Sequence, residues 1–550
     1  MLKKIYSLLP EEERRKSAWV ALSVLLRALL DFAGLAALLP VLIAVLGEDA
    51  DRTKALLLCV GALLFICLKN GVNVLLSRHQ MAFMLRLYHQ FSYRMLCNYY
   101  QRGLLFMKSK SSVQLAHEVN VLCYAFSISV LQPILTIAAE AVLIVLMVGG
   151  LLLWEPLAGG ILCLGFLPMV FVYVRVIKKR VREYGRTEME ARRQQSRNVV
   201  EAFRGYAELE INNAFDSVVA RFEQGLAQIN ASRMRMDMVK RMPAFMSEAA
   251  VVIGLAILLM VTNNDLKLVS GVFAVAAFKL IPAVRGIMDG WTSVQSSSFC
   301  VDVVAEGING ATRSEELGVR AFASQNAEEY LAFEKEIVVE DLTFAFPDGG
   351  VILDHFNCCI KKGERVGFRG ESGSGKSTLF NILLGFYPPT AGCVKIDGVA
   401  LEPSRLKAWR QKVGYVPQEI FIIKGNLAEN VALGHTQIDE ARVWQVLEQV
   451  QLREWVESLP DGIHADLGEY GARMSGGQKQ RIGIARALYK QAEVLFFDEA
   501  TSALDNKTER EINEAIEQLS ETRKELTILV IAHRESSLGF CDRVISLSEI

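Results

Sequence analysis

The stretch Gly370-Glu-Ser-Gly-Ser-Gly-Lys-Ser-Thr378 has the residue types and spacing to hold phosphate. Gly370, Gly373 and Gly375 let the backbone wrap close around anionic oxygens, and Glu371, Ser372, Ser374 and Thr378 complete the cradle. Lys376 can reach β- and γ-phosphates, and Ser377 can offer an oxygen to Mg²⁺. A second stretch, "VLFFDEA" at 494–500, is an apolar strand ending in two carboxylates. There Asp498 suits Mg²⁺ and Glu499 suits orienting and deprotonating an attacking water. Gln418 in "YVPQ" can reach that metal or water, next to Ile420 and Phe421, two apolar residues expected to be exposed. His533 in "VIAHR" could hydrogen-bond a γ-phosphate. A lone His after a strand is more often structural, and only the neighbouring motifs raise it. Phe346 in "LTFAF" could stack on an adenine, although an aromatic alternating along a strand is more often core. A second anion site is suggested by Ser475, Gly476, Gly477 and Gln478, which stand at the start of a helix-like segment. One chain with one phosphate loop leaves open whose phosphate this second site binds.

These residues need a scaffold. From about residue 331, short β-rich runs ("KEIVVEDLTFAF", "ERVGFRG", "GCVKIDG", "KVGYVPQ", "EVLFFDEA", "LTILVIAHR", "DRVISLS") alternate with helical ones. That alternation predicts an α/β unit on a parallel sheet. "HTQIDEARVWQVLEQVQLREWVESLP" reads as two short helices, a candidate helical subdomain between the Gln418 loop and Ser475.

The first 330 residues are different. The 550-residue chain is 51% hydrophobic with a mean hydropathy of +0.26, too apolar for an ordinary soluble enzyme. Apolar runs near 17–47, 55–77, 129–154, 156–177, 243–263 and 268–290 are each long enough to cross about 30 Å of hydrocarbon. The connections at 47–54, 154–156 and 263–267 are short, whereas those at 78–128 and 178–242 are long and rich in Arg and Lys. The positive-inside rule then predicts six spans with both termini cytosolic. The long connections should continue the flanking helices, with turns at "MKSKSSVQLAHE" and "LEINNAFDS". The opening "MLKKIYSLLPEEERRK" has no signal-peptide core and reads as an interfacial helix.

Arg27, Asp31, Lys69, Glu140, Arg175, Glu248, Lys279, Arg285 and Asp289 lie in or near the spans. Membrane-embedded charges face a bundle interior or cavity, so Arg27, Asp31, Lys69, Lys279 and Arg285 are candidates for a substrate path. Intramolecular pairing or snorkelling is the alternative. The net charge of −1 divides into a net positive first part and a net negative second, and neither suggests nucleic-acid binding. Ten scattered cysteines and seven unclustered histidines suggest neither a disulfide framework nor a zinc site.

In order, "GESGSGKST", "YVPQ", "MSGGQ", "LFFDEATSALD" and "IAHR" resemble the ATP-binding cassette of ABC transporters over 331–550. Six spans ahead of one cassette resemble an exporter half-transporter. The resemblance implies a six-helix transmembrane domain at 1–330 and an α/β P-loop nucleotide-binding domain with a helical subdomain at 331–550. It implies ATP and Mg²⁺ as cofactors, ATP hydrolysis coupled to transport, and a homodimer or a pairing with a related half-transporter. Ser475, Gly476, Gly477 and Gln478 of one copy would face the ATP held by Lys376 of the other, with the Asp505 loop at the same interface. The turns near 105–118 and 208–219 resemble coupling helices, and alternating access in a bacterial cytoplasmic membrane is the implied mechanism. Met474, Phe346 and Tyr470 depart from the family's usual residues, and family members usually continue past "SLSEI" through a further strand and helix. "LLDFAGLAALLPVLIAVLG" and "FKLIPAVRGIMDGW" resemble flippases of lipid-linked oligosaccharides and polysaccharide precursors. The substrate is then membrane lipid-linked or otherwise amphipathic. A multidrug, lipid or peptide exporter, or a regulatory ATPase that transports nothing, are the alternatives.

Overall fold

The computed structural model describes residues 2–9, 11–46, 52–261, 266–316, 330–347, 349–500, 506–532 and 534–547. They form two compact units. One comprises 1–100 and 107–313; the other comprises 101–106 and 314–550.

The first unit is helical. Among the described residues five helical segments are long and apolar enough to cross a membrane: Glu13–Val45, Thr53–Gln101, Ser112–Trp154, Phe215–Met260 and Val269–Ser296. A sixth apolar stretch, Pro156–Phe171, opens the helix Pro156–Arg204. The first of these is not one straight helix. It ends at Ala36 and restarts at Leu39–Leu46, because Pro40 carries no N–H to continue the ladder. The long connections are helical, as expected. The helix Arg52–Gln101 gives way to Gly103–Ser109, and Pro156–Arg204 to Tyr206–Ile211 and then Phe215–Val261. The core of this unit is apolar, built on Leu143, Leu162, Leu258, Phe273, Leu280 and Met288.

The second unit holds two sheets rather than the single parallel sheet expected from the alternation. The strands are β1 (Glu336–Ala345), β2 (Val351–Lys361), β3 (Arg365–Arg369), β4 (Ala391–Ile396), β5 (Val399–Ala400), β6 (Val413–Val416), β7 (Val494–Asp498), β8 (Thr527–Ile531) and β9 (Arg543–Ser546). β6-β7-β8-β3-β9 are parallel, and β2-β1-β4-β5 are antiparallel. The correction has a physical reason. Short connections such as the one from β1 to β2 leave no room for a crossover helix, so those strands pair antiparallel. The sequence pattern does not reveal β2, because its polar interruptions, Asp354, His355 and Asn357, mask the alternation. β7 and β8 are buried along their whole length, as central parallel strands are. The segment 101–106 clusters with this unit, and its Leu104 and Leu105 pack against the sheet core around Phe333, Phe344 and Trp409. The helical subdomain contains Glu440–Gln449 and Arg453–Glu457, both inside the expected stretch.

Candidate functional site: a phosphate-binding loop and two carboxylates

The phosphate loop sits between β3 and the helix Lys376–Leu383. Gly375 caps that helix at φ +90°, in the left-handed region, and a Cβ there would meet Ile352 Cγ2 and Leu353 Cδ2 at 3.1 Å. Gly373 is also left-handed, at φ +89°. A side chain at Gly370 would meet Ser374 Oγ at 2.6 Å. The loop therefore wraps tightly, and only glycine meets these conditions at low cost. Lys376 is buried, and its Nζ donates to the carbonyls of Gly370 (2.8 Å) and Glu371 (2.7 Å). Burial holds its ammonium below the usual lysine pKa, while the Glu499 and Asp498 carboxylates pull the other way. A cation curled over a glycine-rich loop at a helix N-terminus fits a polyphosphate.

Asp498 closes β7 and is buried. Each of its oxygens accepts a hydroxyl: Ser377 Oγ donates to Oδ1 at 3.1 Å and Tyr415 Oη to Oδ2 at 3.3 Å. A hydroxyl and a carboxylate side by side form an all-oxygen donor set, which suits Mg²⁺. Glu499 is the next residue, held at φ +51° with its N–H on the carbonyl of Ile531 at 3.0 Å. A left-handed non-glycine residue is strained, and such strain gathers at functional sites. Glu499 Oε2 accepts from Gln418 Nε2 at 3.1 Å.

The segment at Ser475 has the predicted helix start. The Ser475 hydroxyl accepts from the N–H of Gln478 (3.2 Å), and Gln478 Oε1 accepts from the N–H of Ser475 (2.8 Å), a capping box. Ser475 and Gly476 are exposed at the start of helix Gly476–Tyr489, where N–H groups lack intrahelical partners. That helix also reaches the carboxylate site. Gln480 Nε2 donates to the Gln418 carbonyl at 2.8 Å, so a hydrogen-bonded path runs from Gln480 through Gln418 to Glu499.

Several expectations change here. Ile420 is buried and only Phe421 is exposed, because Ile420 packs against Gly483 of the Ser475 helix. Phe346 is half-buried and packs edge-on against Phe344 (5.1 Å between centroids) and Tyr387 (6.0 Å), at the margin of the sheet core. Asp505 and His533 lie outside the described residues. Tyr415 was not singled out from the sequence. The available signal was its place in "YVPQ", three residues before Gln418.

In the helical unit, Lys69 Nζ pairs with Asp31 Oδ1 at 2.7 Å, and Asn73 Nδ2 donates to the same oxygen at 3.1 Å. Two of the five path candidates, Lys69 and Asp31, thus pair directly. Arg285 instead faces Asp289 along its own helix at 3.7 Å. Arg175 and Glu248 are exposed. Because Lys69 is only 7% exposed, Lys69→Met should destabilise the helical unit by roughly 3 kcal/mol, as breaking one partner of a buried pair does. Adding Asp31→Asn should restore much of this. Thermal unfolding in detergent measures both, and equal stability of the single and double variants would contradict pairing.

Residues 353–502 match the family model described as ABC transporter. Over 391 residues the chain is 32% identical to an ATP-dependent lipid A-core flippase of Ralstonia nicotianae, covering 69% of this chain and 64% of that protein. Over 222 residues it is 40% identical to the uncharacterized ABC transporter ATP-binding protein YwjA of Bacillus subtilis, covering 40% and 38%. The chain thus spans less than two thirds of the length of these curated relatives. A solved structure of a bacterial Atm1-family ABC exporter with ATP bound shares the fold, with a TM-score of 0.79 at 19% identity, over 98% of this chain and 94% of that one. The phosphate loop, the carboxylates and the capped Ser475 helix all lie inside the region that matches the ABC transporter model, and the chain has the fold of the solved exporter.

Proposed function

We propose that the chain is an ATP-driven exporter or flippase that moves an amphipathic, lipid-linked substrate across a bacterial cytoplasmic membrane. The observation that carries the reading is the hydrogen-bonded set Ser377–Asp498 and Gln418–Glu499 beside Lys376, in a chain with membrane-length helices. Lys376 and the loop N–H groups bind the phosphates. Ser377 and Asp498 would hold Mg²⁺, which would supply positive charge against the phosphates. Glu499 accepts the proton of the attacking water, with Gln418 holding its carboxylate in place. His533 and Asp505 belong to the same site in this reading. The domains are 1–330 for the membrane and 331–550 for the nucleotide, with the nucleotide domain and both termini cytosolic.

The second anion site meets its phosphate in a pair of chains. Ser475, Gly476 and Gly477 of one copy complete the nucleotide site of another, so a homodimer or a related half-transporter is part of the mechanism. ATP shifts the conformational balance because it binds the closed pair better than the open one.

The basic residues of the spans point to the cargo. Arg27, Lys69, Lys279 and Arg285 lie in or near the membrane-length helices, and basic groups there favour an anionic or zwitterionic headgroup. The names of the flippase relatives agree with a lipid cargo. A multidrug reading has its own support. An apolar cavity of about 260 Å³, lined by residues including Phe32, Leu35, Met147, Trp154 and Val272, could take a compact hydrophobic compound.

The test is the ATPase rate of the chain in lipid, with and without a bacterial lipid-linked glycan extract. A rate that rises with the extract supports the flippase reading. A rise with hydrophobic drugs alone supports the multidrug reading, and no ATPase activity sinks both. Lys279→Ala with Arg285→Ala should leave the basal rate in place and reduce the stimulation. Unchanged stimulation would make these two residues structural.

A further inference from the structure

A hydroxyl that reaches Asp498 comes from the neighbouring strand. β6 pairs with β7 in parallel, with Tyr415 opposite Phe496. Residues two apart on a strand share a face, so Phe496 and Asp498 point the same way and Tyr415 lies beside them. Its length brings the hydroxyl to Asp498 Oδ2 at 3.3 Å, while Ser377 takes Oδ1. The ring packs against the sheet core, which limits where the hydroxyl can go. Asp498 comes from the last position of its strand, and the next residue turns sharply at φ +51°. Without an outside contact, a carboxylate at such an end can rotate about its last bond.

We propose that Tyr415 is a positioning residue for the metal site: its hydroxyl fixes the Asp498 carboxylate through Oδ2 and leaves Oδ1, next to Ser377, to face Mg²⁺. The inference rests on the nucleotide-site reading and extends it to a residue outside the phosphate loop and the carboxylate pair. The role differs from a ligand's, because Tyr415 touches the carboxylate and not the ion. Partners that orient a metal-binding carboxylate commonly set metal affinity without contributing to it directly.

The readout is therefore magnesium dependence. Tyr415→Phe keeps the ring and its packing and removes only the hydroxyl. The full chain in lipid nanodiscs is titrated with a fluorescent ADP analogue without divalent cation, and then with Mg²⁺ at fixed ADP. Metal-free ADP affinity should match that of the parent chain. The Mg²⁺ concentration for half-maximal enhancement of binding should rise about tenfold, the lower end of losses seen for such partners. Mn²⁺ in place of Mg²⁺, followed by electron paramagnetic resonance, should show the same displacement in the fraction of bound metal. Coincident Mg²⁺ curves for the parent and Tyr415→Phe overturn the positioning role. Equal weakening of metal-free ADP binding also overturns it, because a purely structural role would act there. If the parent chain binds no ADP at all, the nucleotide-site reading falls, and this inference falls with it.

Discussion

Glu499→Gln is expected to keep ATP binding and to lower ATP hydrolysis by roughly 10²- to 10⁴-fold, the range over which a general base contributes. The amide has nearly the same shape as the carboxylate and can keep the contact with Gln418 Nε2 through its own oxygen. What it loses is the capacity to accept a proton from water. The backbone at φ +51° is set by the Ile531 carbonyl and the end of β7, neither of which changes. The variant should therefore fold normally and accumulate in the ATP-bound, closed pair. Phosphate release measured in single turnover, beside nucleotide binding, checks this. Normal turnover would remove Glu499 from the role of base. A loss of ATP binding would instead mean that its charge shapes the phosphate loop.

Lys376→Ala should strike an earlier step. The Lys376 ammonium is buried and already aimed into the loop, where it bonds the carbonyls of Gly370 and Glu371. A bound polyphosphate offers it far stronger acceptors. Hydrogen bonds to charged groups contribute about 1.5–3 kcal/mol each. Removing the ammonium should cost about 3 kcal/mol in binding, on the order of a 10²-fold rise in the Kd for ATP. The same change relieves the burial that holds the Lys376 pKa down, so the nucleotide-free fold should lose little. Fluorescent ATP binding and thermal unfolding without nucleotide separate the two effects. Affinity within the error of the parent chain would sink the phosphate assignment. A large fall in nucleotide-free stability would mark Lys376 as chiefly structural.

Much of the nucleotide site was legible in the sequence because each part is local. The phosphate loop needs only a strand, three glycines and a helix start within a few residues. The carboxylates need only an apolar strand that ends where they begin. The capping box needs Ser475 and Gln478 three positions apart. Membrane-length helices are equally local, since span length follows from an unbroken apolar run. The Lys69–Asp31 pair was legible only as two members of a set of candidates. Lys69 and Asp31 are 38 positions apart, and nothing short of packing one helix on another tells that they meet.

The sheets divide along the same line. Local sequence set the strands that carry the chemistry and the helix starts at Lys376 and Gly476, but not the run of β1, β2 and β3 with no helix between them. It determined too that the first part of the chain can cross a membrane. Tertiary structure decided that β1, β2, β4 and β5 leave the parallel sheet for an antiparallel one. It buried Ile420 against Gly483, and it brought Tyr415 to Asp498 across 83 positions. The physical reason is range. Turns, caps and apolar periodicity are settled by neighbours along the chain, whereas strand partners and buried ion pairs depend on which distant segments share a core.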